Sequence, residues 1–71
     1  MERFLRYSLE KERKIRAVLM LDGRMAQKTV KVVALAPECA LLLIGAKKAP
    51  VPVPYTDIFS CDYARGDHGE E

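Results

Sequence analysis

The sequence has no tryptophan, one histidine and two cysteines. Two cysteines cannot staple a small secreted domain, which usually relies on several pairs. With four glycines and four prolines, the chain has neither collagen-like nor low-complexity character. Gly23, Gly45, Gly66 and Gly69 stand singly, so there is no glycine-rich phosphate loop. Apolar runs such as Ala40–Ile44 fall far short of the roughly 20 residues that cross a bilayer. The opening residues, Met1 to Arg6, carry no apolar run of signal-peptide length. These absences predict a cytoplasmic protein with reduced thiols and no membrane partner.

What remains is a globular composition. The 71 residues are 49% apolar and 31% charged, enough for one domain and not two. A chain of this size buries only about 60% of its unfolded surface, so its core is marginal. Self-association would help it, and a homodimer is one expected assembly. The charge is unevenly placed. Residues 1–48 hold eleven basic and five acidic groups, net +6, whereas residues 49–71 hold one basic and five acidic, net −4. A basic body favours an anionic partner, or the acidic tail screens it.

Periodicity gives the architecture. Residues 2–10 read as a short amphipathic helix, with Phe4, Leu5, Tyr7 and Leu9 at helical spacings and charges between them. From Lys14 the period drops to two: Ile15, Ala17, Leu19 and Leu21 alternate with Lys14, Arg16, Val18 and Met20. Asp22-Gly23 between two apolar runs is a hairpin signal. Further strands are expected at Met25–Leu35, Ala40–Ile44, Val51–Tyr55 and Phe59–Tyr63, with a tight turn at Thr56–Ile58. The pattern predicts a mainly β domain over residues 1–64, a small five-stranded SH3/Sm-like barrel with a short N-terminal helix. A helix covering an open five-stranded sheet is the alternative. One longer helix from Phe4 to Leu21 competes, because Ile15 to Leu19 fits either period. Residues 65–71 are polar, with two of the four glycines, and are expected to form a disordered tail.

Pro50, Pro52 and Pro54 alternate along the fourth segment. In an extended strand, alternate N–H groups share a side, so these residues strip the donors from one edge only. A strand of this kind pairs on one side and offers no template on the other. Sm-type rings close by pairing the fourth strand of one subunit with the fifth of the next, so such a ring is not expected here. A polyproline II ligand is the other reading of the motif, and the interleaved Val51, Val53 and Tyr55 favour burial instead.

The segment Phe4-Leu5-Arg6-Tyr7-Ser8-Leu9-Glu10-Lys11-Glu12-Arg13-Lys14-Ile15-Arg16 resembles the short helix, basic turn and first strand that open the WYL domain of bacterial transcription regulators. Thr29 to Leu35 is similar to the second strand of that domain, and Pro54-Tyr55-Thr56-Asp57-Ile58 to the turn after its fourth. The Trp-Tyr-Leu signature of the family would fall near Ala40-Leu41-Leu42, where a leucine is kept. The resemblance implies an Sm/SH3-like barrel, and a role in sensing nucleotides or nucleic acid through it.

Little here points to catalysis. A nucleophilic cysteine needs a neighbouring base, and the single histidine, His68, lies in the tail. Cys39 and Cys61 read as small buried hydrophobes. A structural metal needs three or four converging ligands, and neither a metal nor a cofactor is expected. Arg65-Gly66-Asp67 spells an adhesion tripeptide, but without a secretory signal it reads as a charged turn. The basic residues are the functional lead: Lys14, Arg16, Lys28, Lys31, Lys47 and Lys48 are the expected contacts to an anionic ligand or nucleic acid. Tyr7, Tyr55 and Tyr63 are the aromatics available for base stacking, whereas Phe4 and Phe59 read as core. Val18 and Met20, opposite Ile15 and Leu19, form a candidate interaction surface. The expectation is a non-enzymatic binding or regulatory module, and the alternative is a small nucleic-acid-binding protein.

Overall fold

Leu5 and Ser8 lie three residues apart on one side of a ten-residue helix, α1 (Glu2–Lys11), in the computed structural model, which describes residues 2–69. Both are buried, with Phe4, Tyr7 and Leu9 packed half-buried around them. The helix stops in a left-handed turn at Glu12, φ 55°. Beyond it the Arg13 N–H donates to the Ser8 carbonyl at 3.1 Å. This is the Schellman closure, usually built on glycine, and it turns the chain out of the helix before Ile15. The single helix to Leu21 is thereby excluded.

Five strands follow: β1 (Ile15–Leu21), β2 (Arg24–Leu35), β3 (Cys39–Ile44), β4 (Val51–Pro54) and β5 (Ile58–Tyr63). A 3-10 turn at Tyr55–Asp57 separates the last two. They form one antiparallel sheet in the order β4-β3-β2-β1-β5. The result is a mainly β, barrel-like domain with one short helix. Ile15, Ala17 and Leu19 are at most 1% exposed, while Arg16, Val18 and Met20 between them are half-buried. That alternation is the period of two made physical. Asp22 (φ 52°) and Gly23 (φ 76°) both adopt the left-handed conformation, as the type I′ turn of a two-residue hairpin demands.

The core gathers the inward residues of all five strands: Val30 and Val32 beside β1, Ala40, Leu42 and Ile44 from β3, then Val53 and Ile58. Leu5 of α1 joins it from the helix. Two bulges bend the sheet. Val32 faces Leu42 and Ala34 faces Leu41, leaving Val33 extra in β2. Val18 faces Ser60 and Leu19 faces Ile58, leaving Phe59 extra in β5. An extra residue increases the local twist and leaves its side chain outside the ladder. This corrects the expectation for Phe59, which is 45% exposed rather than core. Cys39 and Cys61 also differ from expectation, being half-buried free thiols. Cys39 has outward parity beside buried Ala40, and Cys61 packs at the margin of the core on an edge strand.

The two outer edges of the sheet are blunted differently. The Tyr55 N–H donates back to the Glu38 carbonyl at 3.2 Å, which fixes the direction of the alternating donors along β4. The N–H groups of Val51 and Val53 share that direction, and the opposite positions are Pro50, Pro52 and Pro54. On β5 the last backbone groups are spent on side chains. The Tyr63 N–H donates to Asp62 Oδ1 at 2.7 Å, and its carbonyl accepts from Arg16 Nε at 2.7 Å. Residues 65–69 run back toward the helix, where Asp67 meets Tyr7. The tail expectation extends to Glu70 and Glu71, which lie outside the described residues. Among the described residues, no helix is long and apolar enough to cross a membrane.

Candidate anion-binding site

The site begins with one buried serine. Ser8 is fully enclosed, and its Oγ donates to the Arg13 carbonyl at 2.6 Å and accepts the Val32 N–H at 2.9 Å. It therefore ties α1, the turn into β1 and the bulged part of β2 to one point. Arg13 and Lys14 leave this point as a fixed wall rather than a loose linker.

Lys14, Lys31 and Lys47 line a single depression of about 250 Å³, with Val30, Leu43 and Gly45 in its floor and sides. Ile15 faces Val30 in the ladder, so the same register carried one residue back sets Lys14 level with Lys31. Lys47 comes over from the β3–β4 turn, which is anchored by the Gly45 N–H on the Thr29 carbonyl at 2.8 Å. Like charges opposed across a strand pair are destabilising, and no carboxylate lines this depression to offset them. An external anion would.

The other expected contacts lie elsewhere. Arg16 is committed to β5, with Nη2 3.5 Å from Asp62 Oδ2 in addition to its bond to Tyr63. Lys28 faces Ala17 across the ladder, and neither it nor Lys48 lines this depression. Val18 and Met20 lie on the outer face beside Gln27 and Met25, half-buried. The three tyrosines are taken up in packing. Tyr63 meets Phe4 and Tyr7 edge to face at 4.9 and 5.2 Å, and the Tyr55 hydroxyl donates to the Ala36 carbonyl at 2.7 Å. No aromatic side chain lines the lysine depression.

Sequence reasoning missed a second basic depression that shares Lys14. It is broader, about 710 Å³, and its cations are Lys11, Arg13, Lys14 and Arg65, with His68 beside them. Unlike the first, it carries carboxylates of its own, Glu12 and Asp67. The Tyr7 hydroxyl sits 2.7 and 2.9 Å from the two Asp67 oxygens, and the Gly69 N–H donates to Oδ1 at 2.9 Å. The Gly69 bond, then the Tyr7 bond, hold the Asp67 carboxyl below its ordinary range, with Arg13 and His68 adding to the effect. The same contact, with partial burial, pushes the Tyr7 hydroxyl up. Tyr7 and Asp67 are 60 residues apart, and no local pattern announces their meeting.

Among the described residues, no group of three or more His, Cys, Asp or Glu side chains is placed to hold a metal ion. Burial pushes the Cys61 thiol up, away from the reactive thiolate. His68 lines the second depression, and neither cysteine shares that wall. No family model, curated protein or solved structure matches this chain.

Proposed function

We infer that this protein is a non-enzymatic binding module of WYL-like, Sm/SH3-type barrel form, and that it takes an anionic ligand on Lys14, Lys31 and Lys47. One observation carries the reading: three lysines converge on one depression that contains no carboxylate. Charge-assisted hydrogen bonds to an incoming anion are about twice as strong as neutral ones, and here they would also relieve lysine–lysine repulsion. The strand order and leading helix support the barrel type, and the raised Cys61 thiol supports a non-catalytic role. Calorimetric titration with tripolyphosphate tests it, using Lys31→Glu as the disabling variant and Lys28→Glu as the control. Binding lost in the first and kept in the second is the expected result. Equal loss in both, or no binding to the parent protein, rejects the site.

The second reading, a small nucleic-acid-binding protein, is favoured by Lys14 lining both depressions, which joins them into one basic track. With no Phe, Tyr or Trp in either wall, it would hold chiefly phosphates. Its salt dependence would have a log–log slope of about −0.7 per neutralised phosphate on single strands.

The same reading extends to assembly. The donor-free outer edge of β4 and the spent groups at the end of β5 disfavour an Sm-type ring. A dimer through the Val18–Met20 face or α1 is the expected association. Sedimentation velocity at micromolar concentration would expose a six- or seven-membered ring if the edge argument is wrong.

A further inference from the structure

The second depression already carries anions in its wall, and one of them comes from the C-terminal segment of the chain. Asp67 is the only carboxylate of residues 64–69. It is fixed by the Tyr7 hydroxyl and the Gly69 N–H inside a wall of cations that includes Lys14. Gly69 in turn lies close against the hydroxyl end of Tyr63: a Cβ built there would fall 2.6 Å from the ring carbon bearing the hydroxyl. That ring is held by T-shaped contacts with Phe4 and Tyr7 and by Arg3, whose Nη2 lies 3.3 Å from the hydroxyl. Asp67 and Gly69 are therefore seated against the Tyr7–Tyr63 pair.

We propose that this tail is an acidic latch: Asp67, seated on Tyr7, occupies the second depression and lowers the affinity of the adjoining Lys14–Lys31–Lys47 site for an external anion. The inference rests on the anion-binding reading above and adds its regulation. Lys14 is the shared element, because it lines both the depression that carries the resident carboxylate and the one that would take the incoming ligand. Freeing the latch removes a negative charge from beside Lys14 and leaves the three lysines unaltered. An external polyanion long enough to reach Arg13 and Arg65 would displace the latch directly, exchanging one carboxylate for several phosphates.

The test compares the full chain with Tyr7→Phe, which keeps the ring and removes the hydroxyl, and with Gly69→Ala, which crowds Tyr63. Both leave the charge unchanged. Tripolyphosphate affinity is measured by calorimetry at low salt and again at 0.5 M sodium chloride. The latch predicts a gain on the order of two- to five-fold in both variants at low salt, shrinking in high salt as screening shortens the reach of the charge. Asp67→Asn should show a similar gain with no further increase when combined with Tyr7→Phe. Parent and variants binding equally tightly overturns the latch while the anion site stands. An affinity that falls in Tyr7→Phe and Gly69→Ala also overturns it, because the tail would then be helping the ligand. No binding in any of them overturns the anion site, and the latch with it.

Discussion

The two depressions on either side of Lys14 are built from similar cations and differ in what answers them. The first has Lys14, Lys31 and Lys47 and no carboxylate. The second has four arginines and lysines together with Glu12 and Asp67. Counting fully ionised groups, the smaller depression carries +3 and the larger +2. Proximity of basic residues is therefore a poor guide to a free anion site. What decides it is whether the fold has already supplied a counter-charge, and Arg16, neutralised by Asp62, is the same lesson in one residue.

The largest expected effect strikes the wall that both depressions share. In Ser8→Ala the Val32 N–H loses its buried partner, and leaving such a donor unsatisfied costs about 1–3 kcal/mol. For a domain of this size each kcal/mol shifts Tm by roughly 4–8 °C. Thermal melting should show that loss, with faster amide exchange at Val32. An unchanged melting curve would mean that Ser8 is not the tie point.

Next comes a contrast within the basic set. Lys31→Glu should weaken anion binding at least about tenfold, since charged hydrogen bonds contribute about 1.5–3 kcal/mol each. Arg24→Glu, the same charge change at the hairpin end of β2, should have a small, salt-screened effect. Equal effects would dissolve the distinction between a local site and general charge.

A smaller change acts on the turn between α1 and β1. Glu12 holds φ 55° without being glycine, a conformation that costs an L-residue roughly 1–2 kcal/mol. Glu12→Gly should raise stability by about 1 kcal/mol and remove one carboxylate from the second depression. Chemical denaturation reads the first effect and the tripolyphosphate titration the second. A loss of stability would contradict the left-handed helix end.

The smallest effect is a pH dependence confined to the second depression. The folded Asp67 carboxyl sits below its ordinary 3.8, so its contribution is present above that value. It is lost as pH falls through the unfolded value and then the lowered folded one. Tyr7, Arg13 and His68 are the groups that face this carboxyl. Amide signals of Gly69 should move with this titration while those of Gly45 do not. Movement of both together would show that the depressions are not separable.

The strands, the hairpin at Asp22-Gly23 and the turn before β5 were legible because each rests on local chemistry: alternation, a left-handed pair, a proline-bounded segment. Pro50, Pro52 and Pro54 were legible for the same reason, since a missing N–H is a property of the residue. Val33 and Phe59 were not, because a bulge is a mismatch between two strands and neither strand carries its mark. Nothing in the sequence singles out Ser8 on the short helix, and its burial depends on where β2 passes beneath it. Lys14, Lys31 and Lys47 were recognised as basic but not as a group apart from Arg16 and Lys28. That division follows from register and from the Asp62 partner on β5, both set by contacts distant in sequence.

The central claim is that an anion settles among Lys14, Lys31 and Lys47, and amide NMR during a tripolyphosphate titration tests it most directly. Saturable shifts at Lys14, Lys31, Gly45, Ala46 and Lys47, with little change at Lys28 and Arg24, are the predicted result. Shifts spread evenly over the basic residues, or absent from Gly45 and Ala46, would contradict it.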